Sequence, residues 1–200
     1  MVLNHVWGLF THPREEWVDI RKETLVNKHR YLSHVLILAA VPAISSYVGA
    51  TWTGWSIGEL DSAKLTVGSA LLMSLMSYLA IIVAVFIMGA FIHWMAKTYG
   101  TDPSLIKCII FTAYVGTPLY LVGIVGIYPS IPITMTAIII AIGYTAYLLY
   151  IGIPRVMEIP PERGFLFSTS VVCVGLVLLV SMKVVTAIFW GIGIGPVYSF

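Results

Sequence analysis

Charge is what this sequence lacks most. Only 10% of its 200 residues are Asp, Glu, Lys or Arg, against roughly 25% in a typical soluble domain, too little to coat a globule in water. Cysteine is scarce as well. Cys108 and Cys173 lie far apart, each inside an apolar run, so neither a disulfide framework nor a CxxC metal site can be built from them; both read as small buried hydrophobes. No GxSxG, P-loop, dinucleotide fingerprint, HxxxH or HExxH occurs, and no pair of carboxylates is placed for acid/base work. The expectation is a protein without enzymatic activity, cofactor or bound metal. The net charge of +2 comes with no Lys/Arg block able to track a phosphate backbone, so nucleic acid is excluded as a partner. A basic stretch followed by a short apolar one is missing from the amino terminus, so the first membrane span is expected to serve as the insertion signal.

What the chain has instead is apolar length. Hydrophobic residues make up 59% of it and the mean hydropathy is +0.95, which points to a polytopic helical membrane protein with the lipid bilayer as its first partner. A charge at mid-bilayer costs at least about 2.5 kcal/mol, so the gaps between charges mark the spans. They predict helices at about 32 to 52, 67 to 95, 104 to 127, 132 to 153 and 166 to 193. The third and fourth are separated by Tyr128-Pro129-Ser130-Ile131-Pro132, which cannot continue a helix. The fold class is therefore all-α, a bundle of five transmembrane helices. An odd number excludes two equal inverted halves.

Lys and Arg orient it. Arg14, Arg21, Lys22, Lys28, Arg30, Lys97, Lys107, Arg155 and Arg163 fall on one side and Lys64 alone on the other, which by the positive-inside rule puts the amino terminus in the cytoplasm and the carboxyl terminus outside. Trp and Tyr favour the headgroup level. Trp52, Trp55, Tyr128, Trp190 and Tyr198 would form an outer belt, and Trp94, Tyr99, Tyr147 and Tyr150 an inner one. Residues 1–31 read as a cytoplasmic amphipathic segment and 32–200 as the transmembrane domain. In the first of these, His12-Pro13 opens a helix with Glu15, Glu16 and Asp19 in its early turns, where the dipole favours acids. Trp17, Ile20 and Leu25 give it an apolar stripe, and Val6, Trp7, Leu9 and Phe10 form an apolar cluster before it. Such a helix lies on the cytoplasmic face, either against the underside of the bundle or as a docking surface for a cytosolic protein.

Few residues inside the spans offer chemistry. All nine acids fall outside them, which disfavours the carboxylate-based proton relays of pumps and carriers. Apart from Lys107 at the very start of span 3, Lys183 is the one cation within a span. Its long stem can carry the ammonium to the outer headgroups; alternatively it is buried and pairs with Glu59 or Asp61 of the outer loop, or faces a cavity as an anion site. Pro42 and Pro118 kink spans 1 and 3 and displace the carbonyls of Leu38 and Tyr114. Freed carbonyls near mid-depth can coordinate a cation or water, unless Thr117, Tyr144 or a neighbouring helix satisfies them. His5, His12, His29 and His34 are expected in the cytosol or at the interface, and His93 at the inner end of span 2. Small residues, Ser77, Ala80, Ala84 and Gly89 in span 2 and the Gly191/Gly195 pair in span 5, permit close helix packing.

Three stretches in order carry a resemblance: Val6-Trp7-Gly8-Leu9-Phe10-Thr11-His12-Pro13, Tyr114-Val115-Gly116-Thr117-Pro118-Leu119, and Gly143-Tyr144-Thr145-Ala146-Tyr147-Leu148-Leu149-Tyr150-Ile151-Gly152-Ile153-Pro154. Together they resemble the bacterial Yip family over nearly the whole chain. The resemblance implies a five-span protein with a cytoplasmic amino terminus. Eukaryotic Yip proteins act in vesicle traffic and bind Rab-type GTPases through a long cytosolic amino-terminal region. Here that region is about thirty residues and lacks the Asp-Leu-Tyr-Gly-Pro signature, so Rab binding is not carried over. Two functional classes follow. One is a non-enzymatic inner-membrane organiser or scaffold, as a homodimer or with a cytosolic protein at the amino-terminal helix. The other is a small transporter or channel built around Pro42, Pro118 and Lys183.

Overall fold

A computed structural model describes residues 2–26, 30–54, 63–128, 130–193 and 195–199. Two short helices, α1 (Val2–Thr11) and α2 (Pro13–Val26), precede the first span. Pro13 sits at the start of α2 with Glu15 and Glu16 in its first turn, as the sequence predicts. Five helical segments are long and apolar enough to cross a membrane: Leu32–Thr53, Val67–Tyr99, Leu105–Ile127, Ile131–Met157 and Pro161–Gly191. The first comprises α3 (Arg30–Val48) and a π-helical turn, the second α4 (Val67–Ala96) and a 3-10 turn. The third is broken into α5 (Leu105–Val115), α6 (Thr117–Val122) and a 3-10 turn, and the last two are α7 (Ile131–Met157) and α8 (Pro161–Gly191). The chain is an all-α polytopic membrane bundle.

Interruptions fall where backbone chemistry requires them. Pro118 has no amide to give, and α5 stops at Val115 with Gly116 as a turn before α6. Pro42 stays inside α3, and its ring is accommodated by Gly123, where a Cβ would come within 2.4 Å of Pro42 Cβ. One helical turn along, Gly49 faces the Gly126 carbonyl so closely that a Cβ would stand 1.8 Å from the oxygen. Glycines on both helices thus let spans 1 and 3 approach backbone to backbone. Gly89 does the same for α4 against Ile109. The Gly191/Gly195 pair does not, because α8 ends at Gly191 and nothing lies within 4 Å of that position.

The central core is formed by Ile92 and Ala96 of α4, Cys108, Ile110, Phe111 and Tyr114 of α5, Leu148 and Ile153 of α7, and Phe167 of α8. Leu9, Trp17 and Ile20 belong to that same core. The amino-terminal helices are therefore built into the bundle at the end that carries Lys97, Lys107 and Arg155, here called the basic end. At this end Arg21 Nη1 lies 3.2 Å from Glu158 Oε1 and donates to the Arg155 carbonyl at 3.3 Å, while Lys107 Nζ approaches Glu158 Oε1 at 3.8 Å.

Helix α8 is held by its first turns: Gly164, Phe167, Ser168 and Val171 are buried, Phe167 stacks on Tyr99 with ring centroids 4.7 Å apart, and Tyr99 and Tyr150 bond to Ser170 and Thr169. From Val172 to Gly191 no residue is buried, a stretch of about 30 Å at 1.5 Å per residue. Cys173 lies on this stretch and is exposed, which corrects the expectation that both cysteines are buried; Cys108 is. At the opposite end a two-residue antiparallel ribbon, β1 (Lys64–Leu65) with β2 (Tyr198–Ser199), ties the carboxyl terminus to the connection before α4. Hydropathy gave no sign of it.

Candidate functional site

The break at Pro118 is where polar groups gather. Pro118 leaves the Tyr114 carbonyl without its helical donor, and the Thr117 hydroxyl donates to it at 2.7 Å. With that proton committed, Thr117 Oγ1 accepts from His34 Nε2, 3.1 Å away on α3. His34, Thr117 and Tyr114 are all buried. The His34 ring lies 4.2 Å from that of Tyr114 at 47°. The sequence places His34 at an interface; the structure buries it completely, because span 3 offers it an acceptor and an aromatic face. The partnership fixes its tautomer: Nε2 carries the hydrogen, and Nδ1, also buried, has no hydrogen-bond partner among the described residues.

On the other side of Tyr114 stands His5 of α1, ring edge to face at 5.6 Å. Its Nδ1 contacts Glu16 Oε1 and its Nε2 lies 3.0 Å from Glu23 Oε2, so two carboxylates of α2 clamp one imidazole. Gly8 makes room for this, since a Cβ there would fall 1.8 Å from Glu16 Oε2. Helix α1 is anchored further along by Tyr144, whose hydroxyl donates to the Leu9 carbonyl at 3.0 Å and whose ring stacks on Phe10 at 5.1 Å. Tyr114 is seven residues beyond Lys107, about 10 Å along a helix. His5 therefore reaches into the bundle and carries two carboxylate contacts with it, although no acid lies in a span.

The other residues singled out from the sequence do not join this cluster. Lys183 is exposed on the far part of α8 and makes no ion pair among the described residues. Its expected partners, Glu59 and Asp61, lie outside the described residues. Pro42 is enclosed by Gly123 rather than by a cavity. His93 Nδ1 donates to the Pro103 carbonyl at 2.9 Å and so fastens the connection between α4 and α5. No group of three or more His, Cys, Asp or Glu among the described residues is arranged to hold a metal ion.

Residues 7–182 match the family model described as the Yip1 domain. The chain belongs to the Yip family. The matched range includes Tyr114, Thr117, Pro118, His34 and Pro42, and ends one residue before Lys183. Among similar proteins of this family, the inner membrane protein YohC of Escherichia coli (strain K12) is 39% identical over 191 residues, covering 96% of this chain and 98% of the relative. YohC of Escherichia coli O6:H1 (strain CFT073) matches to the same extent. No solved structure matches.

In this Yip chain, sequence reasoning found Tyr114, Thr117 and Pro118 from the proline and missed His5, Glu16 and His34. One signal was available. Gly8 and Glu16 flank the start of α2, and a glycine inside an otherwise apolar helix marks a close approach.

Proposed function

We propose that this protein is a non-enzymatic organiser of the bacterial inner membrane, with its amino terminus in the cytoplasm and its carboxyl terminus in the periplasm. The Escherichia coli relatives, inner membrane proteins by name, support the membrane, and the nine-to-one distribution of Lys and Arg supports the orientation. One observation carries the organising role: beyond its buried first turns, α8 presents twenty successive residues with none buried, Val172 to Gly191, touching the bundle on one side only lightly, as where Met88 approaches Gly175. Leu176, Val177, Val180, Val184, Val185 and Ile188 are all exposed on it. A long apolar helix exposed over most of its length is a surface for lipid and for other membrane helices, including a second copy of this chain.

A transporter or channel is the second reading, and the polar cluster around Tyr114 favours it over a site at Lys183. The test is flux in proteoliposomes of the wild type, Lys183→Ala and Thr117→Val, with protons, alkali cations, small anions and neutral solutes. The organising reading expects no flux from any of the three. A flux of the wild type that Thr117→Val abolishes overturns it in favour of transport at the kink, and a flux lost in Lys183→Ala places transport at α8.

A further inference from the structure

The clamp on His5 has a feature that packing does not require. Both ring nitrogens face carboxylate oxygens, Nδ1 that of Glu16 and Nε2 that of Glu23. An imidazole can donate from both nitrogens only as the imidazolium; the neutral ring donates from one and turns a lone pair to the other. The clamp is closed when one proton more than the neutral ring carries is present. Among the described residues the groups that face His5 are Glu16 and Glu23 of α2 and Tyr114 of α5, with His34 of α3 also against the Tyr114 ring. No acid contacts His34 among the described residues; its Nε2 is spent on Thr117 and its buried Nδ1 is unpartnered. Of the two imidazoles beside Tyr114, His5 is thus the one that the carboxylates face.

We propose that His5, Glu16 and Glu23 form a proton-binding site whose loading holds α1 inside the bundle. With the proton bound, His5 bridges the two carboxylates and α1 is fixed to α2 and, through Tyr114, to α5. When the proton leaves, one carboxylate faces a lone pair at hydrogen-bond distance, and the repulsion opens the α1 contact. Imidazole is the side chain whose second proton comes and goes between about pH 5 and 8. The remaining hold on α1 is then apolar, Val6 and Leu9 against the core and Phe10 on Tyr144, with the Tyr144 bond to the Leu9 carbonyl. Opening withdraws the fully buried Leu9 from the core it shares with Cys108.

Cys108 is the native reporter, one turn before Phe111, on which Trp17 lies at 4.9 Å. The experiment uses the full chain in proteoliposomes with the exposed Cys173 replaced by Ala. Labelling of Cys108 by N-ethylmaleimide is followed across about pH 6 to 9, each rate divided by that of the SDS-unfolded chain at the same pH. This ratio reads the open fraction, and for the wild type it is expected to rise about tenfold or more with pH. His5→Gln is expected to be high and flat. Glu16→Gln is expected to be low and flat, because the amide donates to the lone pair of a neutral His5 while its other nitrogen donates to Glu23. An unfolded variant cannot mimic that last result. A flat wild-type ratio overturns the proposal, as does a wild-type-like rise in either variant.

Discussion

The indole of Trp17 occupies the space that a side chain on Gly152 would need. A Cβ at position 152 would stand 2.8 Å from Cε2 and 3.1 Å from Cζ2 of Trp17, and 2.6 Å from Cε2 of Phe111. Trp17 is fully buried there, so α2 is fitted to α5 and α7 through the absence of one methyl group. Gly152→Ala is expected to cost about 1–3 kcal/mol by overpacking, read as earlier unfolding in an SDS titration. Combined with Trp17→Leu, the loss should be smaller than the sum of the two single changes, as for residues in direct contact. Strict additivity would mean that the two side chains do not share this space.

Thr117 serves two partners at once, the Tyr114 carbonyl as donor and His34 Nε2 as acceptor. Thr117→Val keeps the shape and removes both. The expected loss is about 1–3 kcal/mol, the cost of leaving buried polar groups unmade, with Thr117→Ser restoring most of it. Equal stability of Val and Thr at this position in thermal unfolding would show that the kink satisfies itself by another route.

Glycines in the spans are predicted to divide sharply. Gly123→Ala drives a methyl group into Pro42, 2.4 Å from its Cβ, and should cost about 1–3 kcal/mol by overpacking. Gly143 on α7 has nothing within 4 Å, and Ala there should be neutral or stabilising by about 0.5–1 kcal/mol through helix propensity. Unfolding midpoints of the two variants in the same detergent make the comparison, and a loss at 143 comparable to that at 123 would contradict it.

Glu158 is the one non-glycine residue with positive φ among the described residues, at 57°, where it closes the end of α7. Its side chain is 64% exposed and takes Arg21 and Lys107 as partners. Glu158→Gly relieves a left-handed conformation worth roughly 1–2 kcal/mol and gives up exposed ion pairs worth about 0.2–1 kcal/mol each. The net change should lie within about 1 kcal/mol of zero, and the variant should depend less on salt than the wild type, the exposed Lys22–Asp19 and Lys97–Asp102 pairs remaining. Unfolding at low and high NaCl checks both, and a loss well beyond that range would mean the ion pairs do more than exposed pairs do.

The spans were legible because hydropathy and the cost of buried charge act locally along the chain. Each predicted stretch overlaps its observed helix; the third ends at Ile127 as expected, but the fourth begins at Ile131, so Ile131 and Pro132 of the predicted break open that helix, where a proline at the first turn loses no bond. Pro118 could be seen to free the Tyr114 carbonyl, and Thr117 was already named as one group able to take it. His34 could not be assigned to Thr117 in advance, since 83 positions separate them and nothing local to His34 distinguishes a buried histidine from an interfacial one. The amino-terminal helices were harder still. Packing against the underside of the bundle was one of two readings of them, and Trp17 and Ile20 of their apolar stripe do enter the core, but nothing local showed that Gly8 and Gly152 would make the room for Glu16 and Trp17.

The sequence by itself determined the class, the number of long apolar helices and roughly where they lie, because a lipid solvent penalises each charge and each unpaired amide wherever it falls. Proline marked the break at Pro118, because it lacks a hydrogen to give, but not every proline breaks its helix: Pro42 and Pro154 stay inside theirs. Only the tertiary structure decided which polar groups meet. Carboxylates that avoid all five spans still meet the imidazole that lies against Tyr114, since α1 and α2 fold back onto the core and bring His5, Glu16 and Glu23 with them. Meeting of that kind depends on close approach between distant segments, and close approach is a property of packed surfaces, not of the order of residues along a chain.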